Sequence, residues 1–407
     1  MTYLPQSPVK AKFQAITGKV GKVLLDYFKR ADKFLWVVML AISAYSLILL
    51  KTVPSASESR SYFIVQLAAI LVGYAAAIVI TAFDYRTIAR FSKWIALFAI
   101  LLIVYTLIFG HAVTGTDGVN AKAWIKLPGG LTFQPSELVK ILFMITYGKH
   151  LSIVKENGNI KRFLHVCLLG VHALVPILLV HFQGDDGAAM IFFFMFLFMS
   201  FAAGVQLRYF AAIFAIILIA IPIAWQYIFE DYQRNRILNM FNPEADPQGM
   251  GLQQIQGKIS IGSGQLFGQG LFQGPRVQRG VVPIQESDFI FAVAGEQLGF
   301  IGCAMIIILL ILLLMRTLHT ARVSCDNLGA YMCFGFFGMI ASQMIFNLGM
   351  CLSLLPVMGV TLPFFSAGGS SAACLYLGFG LVQNVYMHRS EKDQIKIENV
   401  HRLQRRA

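Results

Sequence analysis

The sequence predicts an all-α polytopic membrane protein, with about ten transmembrane helices and a large ordered extracellular loop between the seventh and eighth. Three observations carry this prediction. Apolar runs of roughly 20 residues, the length that crosses a bilayer, recur along almost the whole chain. The 407 residues are 57% hydrophobic and only 13% charged, with a mean hydropathy of +0.68, which excludes an ordinary soluble protein. Basic residues concentrate in alternate connections, the pattern of short cytoplasmic loops.

The spans are expected at residues 34–50, 62–82, 92–110, 134–149, 161–181, 187–204, 208–229, 291–315, 329–354 and 367–387. The run at 134–149 is short and opens on polar residues. Helices are the reasonable form for such runs, because lipid offers no partner to an open backbone. Residues 1–33 form a cytoplasmic basic segment in which Phe13, Ile16, Val20, Leu24 and Phe28 recur at helical spacing among lysines. That pattern reads as an interfacial helix on anionic membrane lipids. The first apolar run starts too late for a cleavable signal peptide. Arg86, Arg90 and Lys93, then Lys149, Lys155, Lys161 and Arg162, then Arg208, Arg316 and Arg322 fall on one side, with both termini inside. The tail at 390–407 adds Lys392, Lys396, Arg402, Arg405 and Arg406. The net charge of +13 is therefore a topology signal, and no nucleic-acid partner is expected. Six cysteines without a CxxC pair read as packing residues.

Residues 230–287 break the alternation of helix and short loop. The stretch is rich in Gln and Gly, yet its Leu, Ile and Phe residues argue against disorder. It reads as an ordered cap on the outer face. Pro176 and Pro222 lie inside expected spans and should kink them.

Four polar constellations converge on the outer side. In NAKAWIKLPGGLTFQPSELVK (120–140), Pro135 suits a first helical turn, and Glu137 follows at the positive end of the helix dipole. Lys140, three residues on, can face it. A capped helix start with a local ion pair explains this pattern equally well, and Trp124 has a plain reading as an interfacial anchor. In HFQGDDGAA, Asp185 and Asp186 with Gly184 and Gly187 make a tight turn, though two adjacent carboxylates also suit a cation. In LPVMGVTLPFFSAGGSSAACL (355–375), Pro356, Gly359, Pro363, Gly368 and Gly369 forbid a continuous helix. Ser366, Ser370 and Ser371 offer hydroxyls there, and irregular backbone at that depth is tolerated inside protein or along a wet cavity. Gln343 and Asn347 precede it with polar groups that interhelical hydrogen bonding alone accounts for.

The fourth constellation is QESDFIFAVAGEQLGF (285–300). On a helix, Ala292, Gly295 and Gly299 lie within about 40° of Asp288. Small residues permit close helix packing; equally, they leave room for a bulky ligand beside a carboxylate. An ionisable residue in a membrane span is a functional-site candidate. Glu296 points about 80° away from Asp288, and Glu286 reads as part of the solvated loop.

Taken in order, FQPSELVK, QGDDGAA, KISIGSGQLFGQGL, ESDFIFAVAGEQLGFIG and LPVMGVTLPFFSAGGSS resemble the SEDS family (shape, elongation, division and sporulation), whose members include RodA, FtsW and SpoVE. The resemblance runs from about residue 34 to 389. It implies a peptidoglycan glycosyltransferase that polymerises lipid II on the outer face of the bacterial cytoplasmic membrane, beside a class B penicillin-binding protein and other elongation or division proteins. The family's essential aspartate falls on Asp288, its loop tryptophan on Trp124, its Gln-Pro-Ser-Glu glutamate on Glu137 and a later glutamate on Glu296. This sequence has Glu286-Ser287 where the family has His-Thr, Ala367 where it has Tyr, and Met358 where it has Thr. The segment PVMGVTLPFFSAGGSS and the closing VYMHR look more like the elongation type of Gram-positive bacteria than a division protein.

The resemblance also implies the chemistry. A sugar hydroxyl must displace undecaprenyl diphosphate, which calls for a carboxylate base, and Asp288 is the candidate. The developing diphosphate charge calls for Lys126, Lys140, Lys258 or Arg276, or for a divalent cation (Mg or Mn) held by carboxylates. Candidate substrate-binding residues are thus Trp124, Lys126, Glu137, Lys140, Asp185, Lys258, Ser263, Glu296 and Ser370. A lipid flippase and a non-enzymatic scaffold of the cell-wall complex stand as alternatives.

Overall fold

Every one of the ten apolar stretches is a helix in the computed structural model, which describes residues 27, 29–54, 61–114, 120–126, 132–227, 229–245 and 250–389. The five apolar positions of the expected interfacial helix and the tail at 390–407 lie outside the described residues. In chain order the elements are α1 (Lys33–Thr52), α2 (Tyr62–Thr81), the short α3 (Tyr85–Arg90) and α4 (Ser92–Phe109). Three strands follow, β1 (His111–Thr114), β2 (Asn120–Lys126) and β3 (Thr132–Phe133). Then come α5 (Pro135–Glu156), α6 (Phe163–Phe182), α7 (Asp186–Ala203) and α8 (Leu207–Tyr227). The long connection holds α9 (Asp231–Phe241), a single 3₁₀ turn (Pro243–Ala245), α10 (Met250–Ser263) and α11 (Pro275–Gln278). The chain closes with α12 (Ile290–Val323), α13 (Asn327–Cys351) and α14 (Gly369–Met387).

Among the described residues, eight helices are long and apolar enough to cross a membrane. The helices α5 and α14 are of similar length, about 30 Å at 1.5 Å per residue, but carry more polar groups. Both are wrapped by other helices, so their polar faces meet protein rather than lipid. The chain is a multi-pass membrane protein.

Packing centres on α14, which lies along α2 through small residues. A side-chain carbon added at Gly380 would stand 2.5 Å from Ala77 Cα, and one at Gly73 would stand 2.6 Å from Tyr376. Backbones approach this closely only where side chains are tiny. One end of α14 meets a knot around Asp32. Its backbone N–H donates to Gln383 at 3.0 Å, its carboxylate caps Leu35 N at 3.2 Å, and Arg316 donates to the same carboxylate. Arg86 and Arg389 lie at this end too, Arg86 beside Asp84 and Arg389 over the Tyr386 ring. The other end of α14, with Gly368 and Gly369, opens on the cavity described below.

The three strands form a small antiparallel sheet in which His111 pairs with Trp124 and Ile125 with Phe133. This sheet departs from the all-α expectation. The sheet is tied to the end of α6, where Gln183 accepts from Lys122 N at 2.9 Å and donates its side chain to Ile103 O at 2.8 Å.

The long element α12 is broken at Gly299, whose φ of 65° and ψ of −158° belong to no helix. The break is where the long connection crosses it. Gln269 N and Gly270 N donate to the carbonyls of Glu296 and Gln297, and Phe300 N donates to Gln265 O. Here the expected helical face is corrected. Asp288 precedes α12 and is not on its Ala292–Gly295–Gly299 stripe. That stripe is filled by protein: a side-chain carbon at Gly295 would touch Ile261 at 3.0 Å, and one at Gly299 would meet Gly268 N at 2.4 Å. The small residues leave room for the 261–268 segment rather than for a ligand.

Candidate active site

Asp288 sits in the tight turn before α12, where its N–H donates to Ile284 O at 3.1 Å. Asn347 of α13 fixes this turn by donating to Asp288 O and to Val360 O, both at 2.8 Å. Cys351 adds a weaker contact to the same carbonyl. One amide thus holds together the two irregular segments, 284–288 and 357–361. Ser366 bridges them a second time by donating to Ser287 O. The irregular backbone after α13 is thus braced by protein on one side and lines the cavity on the other.

The carboxylate of Asp288 faces a cavity of about 400 Å³. Trp124 from β2, Asp185 and Asp186 from the α6–α7 turn, and Gly368 to Ser371 at the start of α14 line it as well. Arg236 of α9 and Gln253 of α10 cover it from the long connection. Asp288 is half-buried, and burial pushes its carboxyl up to about 6, opposed by the Ser287 hydroxyl and assisted by Glu286 and Asp185. A carboxyl poised near neutrality is suited to take up a proton from a substrate hydroxyl. Gly359, on the opposite wall, takes a positive φ of 63°, a conformation that favours glycine.

Asp185 serves two purposes. It caps α7 by accepting from Ala188 N at 2.9 Å, and its other oxygen accepts from Gln134 Nε2 at 2.7 Å. Burial raises its carboxyl above the usual range, against the lowering effect of the Ala188 N–H and Lys140. Ser370 accepts from Gln134 N at 3.3 Å, so Gln134 links the β3–α5 junction to both walls.

Beneath the cavity lies a chamber of about 20 Å³, room for about one water. It shares Gln134, Asp185, Gly359 and Thr361 with the cavity and is lined by Glu137, Lys140 and Gln343. Lys140 is 1% exposed and donates to Glu137 at 2.9 Å. The first-turn ion pair expected from the sequence is therefore present, but deep in protein. Glu137 Oε2 and Gln343 Oε1 are buried and accept no hydrogen bond.

Of the residues singled out in the sequence, Asp288, Trp124, Asp185 and Ser370 line the cavity, and Glu137 and Lys140 adjoin it. Lys126 and Lys258 are exposed and do not line it. Ser263 closes α10 by donating to Ser260 O at 2.8 Å and is likewise outside. Arg276 is turned inward, its guanidinium engaged by Ser260 and Gln256. Glu296 is fully buried and accepts from Arg276 N at 2.8 Å and Val277 N at 3.4 Å, pinning α11 against α12. Its place is structural. Glu286 is not merely solvated: it accepts from Tyr62 OH at 3.1 Å, and its carbonyl accepts from Ala367 N. Sequence reasoning passed over Arg236 and Gln253, since a lone Arg in a polar helix and a Gln among many carry no motif.

Among the described residues no three His, Cys, Asp or Glu side chains gather as a metal-ligand set. A second cavity, of about 220 Å³, lies between α4, α5 and α6. Apart from Thr146 and His172 its lining is apolar, so it lacks the acids that the chemistry needs.

Comparisons with known proteins agree with this architecture. A family model described as "Cell cycle protein", FtsW/RodA/SpoVE, matches residues 30–391. The peptidoglycan glycosyltransferase MrdB of Escherichia coli K12 is 31% identical over 358 residues, 88% of this chain and 94% of that one. A probable peptidoglycan glycosyltransferase FtsW of Geobacter sulfurreducens is 32% identical over 365 residues, 88% of this chain and 95% of that one. A chain from a solved peptidoglycan synthase complex, described as coordinating polymerization and crosslinking, aligns with a TM-score of 0.74 at 28% identity, covering 88% of this chain and 98% of its own. The rod shape determining protein RodA of Thermus thermophilus aligns with a TM-score of 0.64 at 26% identity, covering 88% and 97%. The chain belongs to the FtsW/RodA/SpoVE family, the SEDS proteins.

Proposed function

We propose that this protein is a peptidoglycan glycosyltransferase that polymerises lipid II for cell-wall elongation and cell shape. The observation that carries the reading is the gathering of Asp288, Asp185, Trp124 and the start of α14 around one cavity. It occurs in a chain that matches relatives named as such enzymes over nearly their whole length.

The acceptor sugar hydroxyl lies against Asp288, which takes its proton as the oxygen attacks the donor's anomeric carbon. A new glycosidic carbon–oxygen bond forms, and the bond from that carbon to the diphosphate oxygen breaks. The electron pair leaves with undecaprenyl diphosphate, and the proton stays on Asp288 until released to solvent. The raised carboxyl suits this exchange, because a strongly acidic aspartate would be a poor base. Asn347 keeps the carboxylate in place from behind.

The basic groups Arg86, Arg316 and Arg389 cluster at the end of the bundle away from the cavity. By the positive-inside rule that end is cytoplasmic, as are both termini, and the cavity opens on the outer face. A class B penicillin-binding protein is the expected partner, in keeping with the peptidoglycan synthase complex among the structural relatives. The elongation role rests on the sequence resemblance of residues 356–371 and of the closing VYMHR.

The test is the purified chain with its transpeptidase partner, lipid II and a divalent cation, with glycan length read on a gel. Wild type should make polymer and Asp288→Asn should make none. A folded Asp288→Asn protein that polymerises at a near-normal rate removes the base assignment. Wild type that makes no polymer but moves lipid II across vesicles would turn the reading to a flippase.

A further inference from the structure

We propose that the start of α14, from Gly368 to Ser371, forms with Arg236 a cradle for the diphosphate of a polyprenyl-linked substrate. This rests on the glycosyltransferase reading and specifies where the leaving group is held.

The first observation is the bare helix start. Gly368 supplies no side-chain cap to α14. Among the described residues, no acceptor takes the N–H groups of Gly369, Ser370 or Ser371, whereas Ala372 N already donates to Gly368 O. Orphan amides at a helix start attract anions, and the helix dipole adds to the attraction. The two glycines leave the amides open to close approach.

The second observation is Ser371. It is only 8% exposed, it lines the cavity, and its hydroxyl makes no hydrogen bond. The hydroxyl is therefore open to whatever the cavity receives.

The third is Arg236. Among the described residues it is the one basic side chain lining this cavity. It is delivered by α9, which is fastened over the α6–α7 turn: Gln233 Nε2 donates to Asp186 at 3.2 Å, one helical turn before Arg236. Guanidinium suits phosphate through its paired donors.

The lining also holds three carboxylates, which an anion would shun if all were idle. Two are not. Asp185 gives one oxygen to Ala188 N and the other to Gln134. Asp186 gives one to His181 at 2.6 Å and the other to Gln233. Asp288 alone keeps an oxygen without a donor, on the side where the acceptor sugar would lie. The cavity thus has an amide-and-hydroxyl end and a guanidinium from the long connection. Both line the one cavity that Asp288 faces.

The experiment measures binding of undecaprenyl diphosphate, undecaprenyl monophosphate and undecaprenol to the full-length protein in nanodiscs. Wild type should bind the diphosphate about 100-fold more tightly than the alcohol, the yield of several charge-assisted hydrogen bonds. Arg236→Gln should weaken diphosphate binding about tenfold, Ser371→Ala severalfold, and neither should alter undecaprenol binding. Arg236→Lys, which keeps the charge and is the safer variant for folding, should lie between wild type and Gln. Inorganic pyrophosphate should displace the lipid. Equal binding of diphosphate and alcohol by wild type overturns the cradle, as does a parallel loss of both in folded Arg236→Lys. Displacement by phosphatidylglycerol as effective as by pyrophosphate overturns it too, since any anionic headgroup would then serve. Lipid II polymerisation is followed alongside. Polymer without diphosphate selectivity removes the cradle and leaves the enzyme, whereas selectivity without polymer removes the enzyme and leaves the cradle.

Discussion

Ser287 donates its hydroxyl to the carboxylate of Asp288 at 2.9 Å. The family resemblance places a His-Thr pair before this aspartate, so the hydroxyl persists here while Glu286 replaces the imidazole. The two neighbours act on Asp288 in opposite directions, the hydrogen bond lowering its carboxyl and the charge of Glu286 raising it.

The rate of glycan synthesis should therefore fall on acidification with a midpoint near pH 6, where the Asp288 carboxyl stands. Ser287→Ala should move that limb to higher pH, and Glu286→Gln should move it lower, as read from rate profiles on lipid II. Stability runs the other way. The folded state holds this proton more tightly than the unfolded chain, so the contribution of Asp288 declines as pH rises from 3.8 to about 6 and levels above it. Asp288→Asn should flatten that decline in thermal unfolding followed against pH.

Breaking the Glu137–Lys140 pair should be costly. Lys140 is almost wholly buried, and removing its partner leaves a charge without compensation. Glu137→Gln or Lys140→Met alone should lose about 3–5 kcal/mol of stability. The double variant should recover most of that loss, as judged by thermal unfolding in detergent. An additive double variant would mean that the two charges do not depend on each other.

Glu296→Gln should loosen α11 without touching the cavity lining. One carboxylate oxygen accepts both Arg276 N and Val277 N, so the weaker amide acceptor should cost about 1–3 kcal/mol. Hydrogen exchange at those two amides should quicken, while exchange at the start of α14 should not change.

Gly299→Ala tests the helix break. The backbone there occupies a region that is essentially glycine-only, costing about 1–3 kcal/mol for any other residue. The new methyl would also strike Gly268 N at 2.4 Å. The variant should unfold at a lower temperature and expose the 264–280 segment to protease.

What could be read from the sequence follows from how local each signal is. Apolar length alone located the helices, because a bilayer imposes one period on every crossing. The pairing of Glu137 with Lys140 was legible from their three-residue spacing, but its burial was not, since burial depends on α7 and α13 packing over α5. The role assigned to the Ala292–Gly295–Gly299 stripe failed for the same reason. Small residues announce a close approach without saying by what, and here it is the chain's own 261–268 segment. Arg236 carries no sequence signal because its importance comes from a contact 47 residues distant in sequence, between Gln233 and Asp186. The small sheet around Trp124 was missed because short strands in a membrane chain carry little signal beside the helices.

No residue of α8 is buried, although Tyr209 and Phe210 near its start rest partly on the core. Its far half is largely exposed, so the packing that positions the other spans contributes little to holding it. The arm that carries Arg236 begins at Asp231, just beyond the end of this helix. Gln233 on Asp186 tethers that arm to the α6–α7 turn instead.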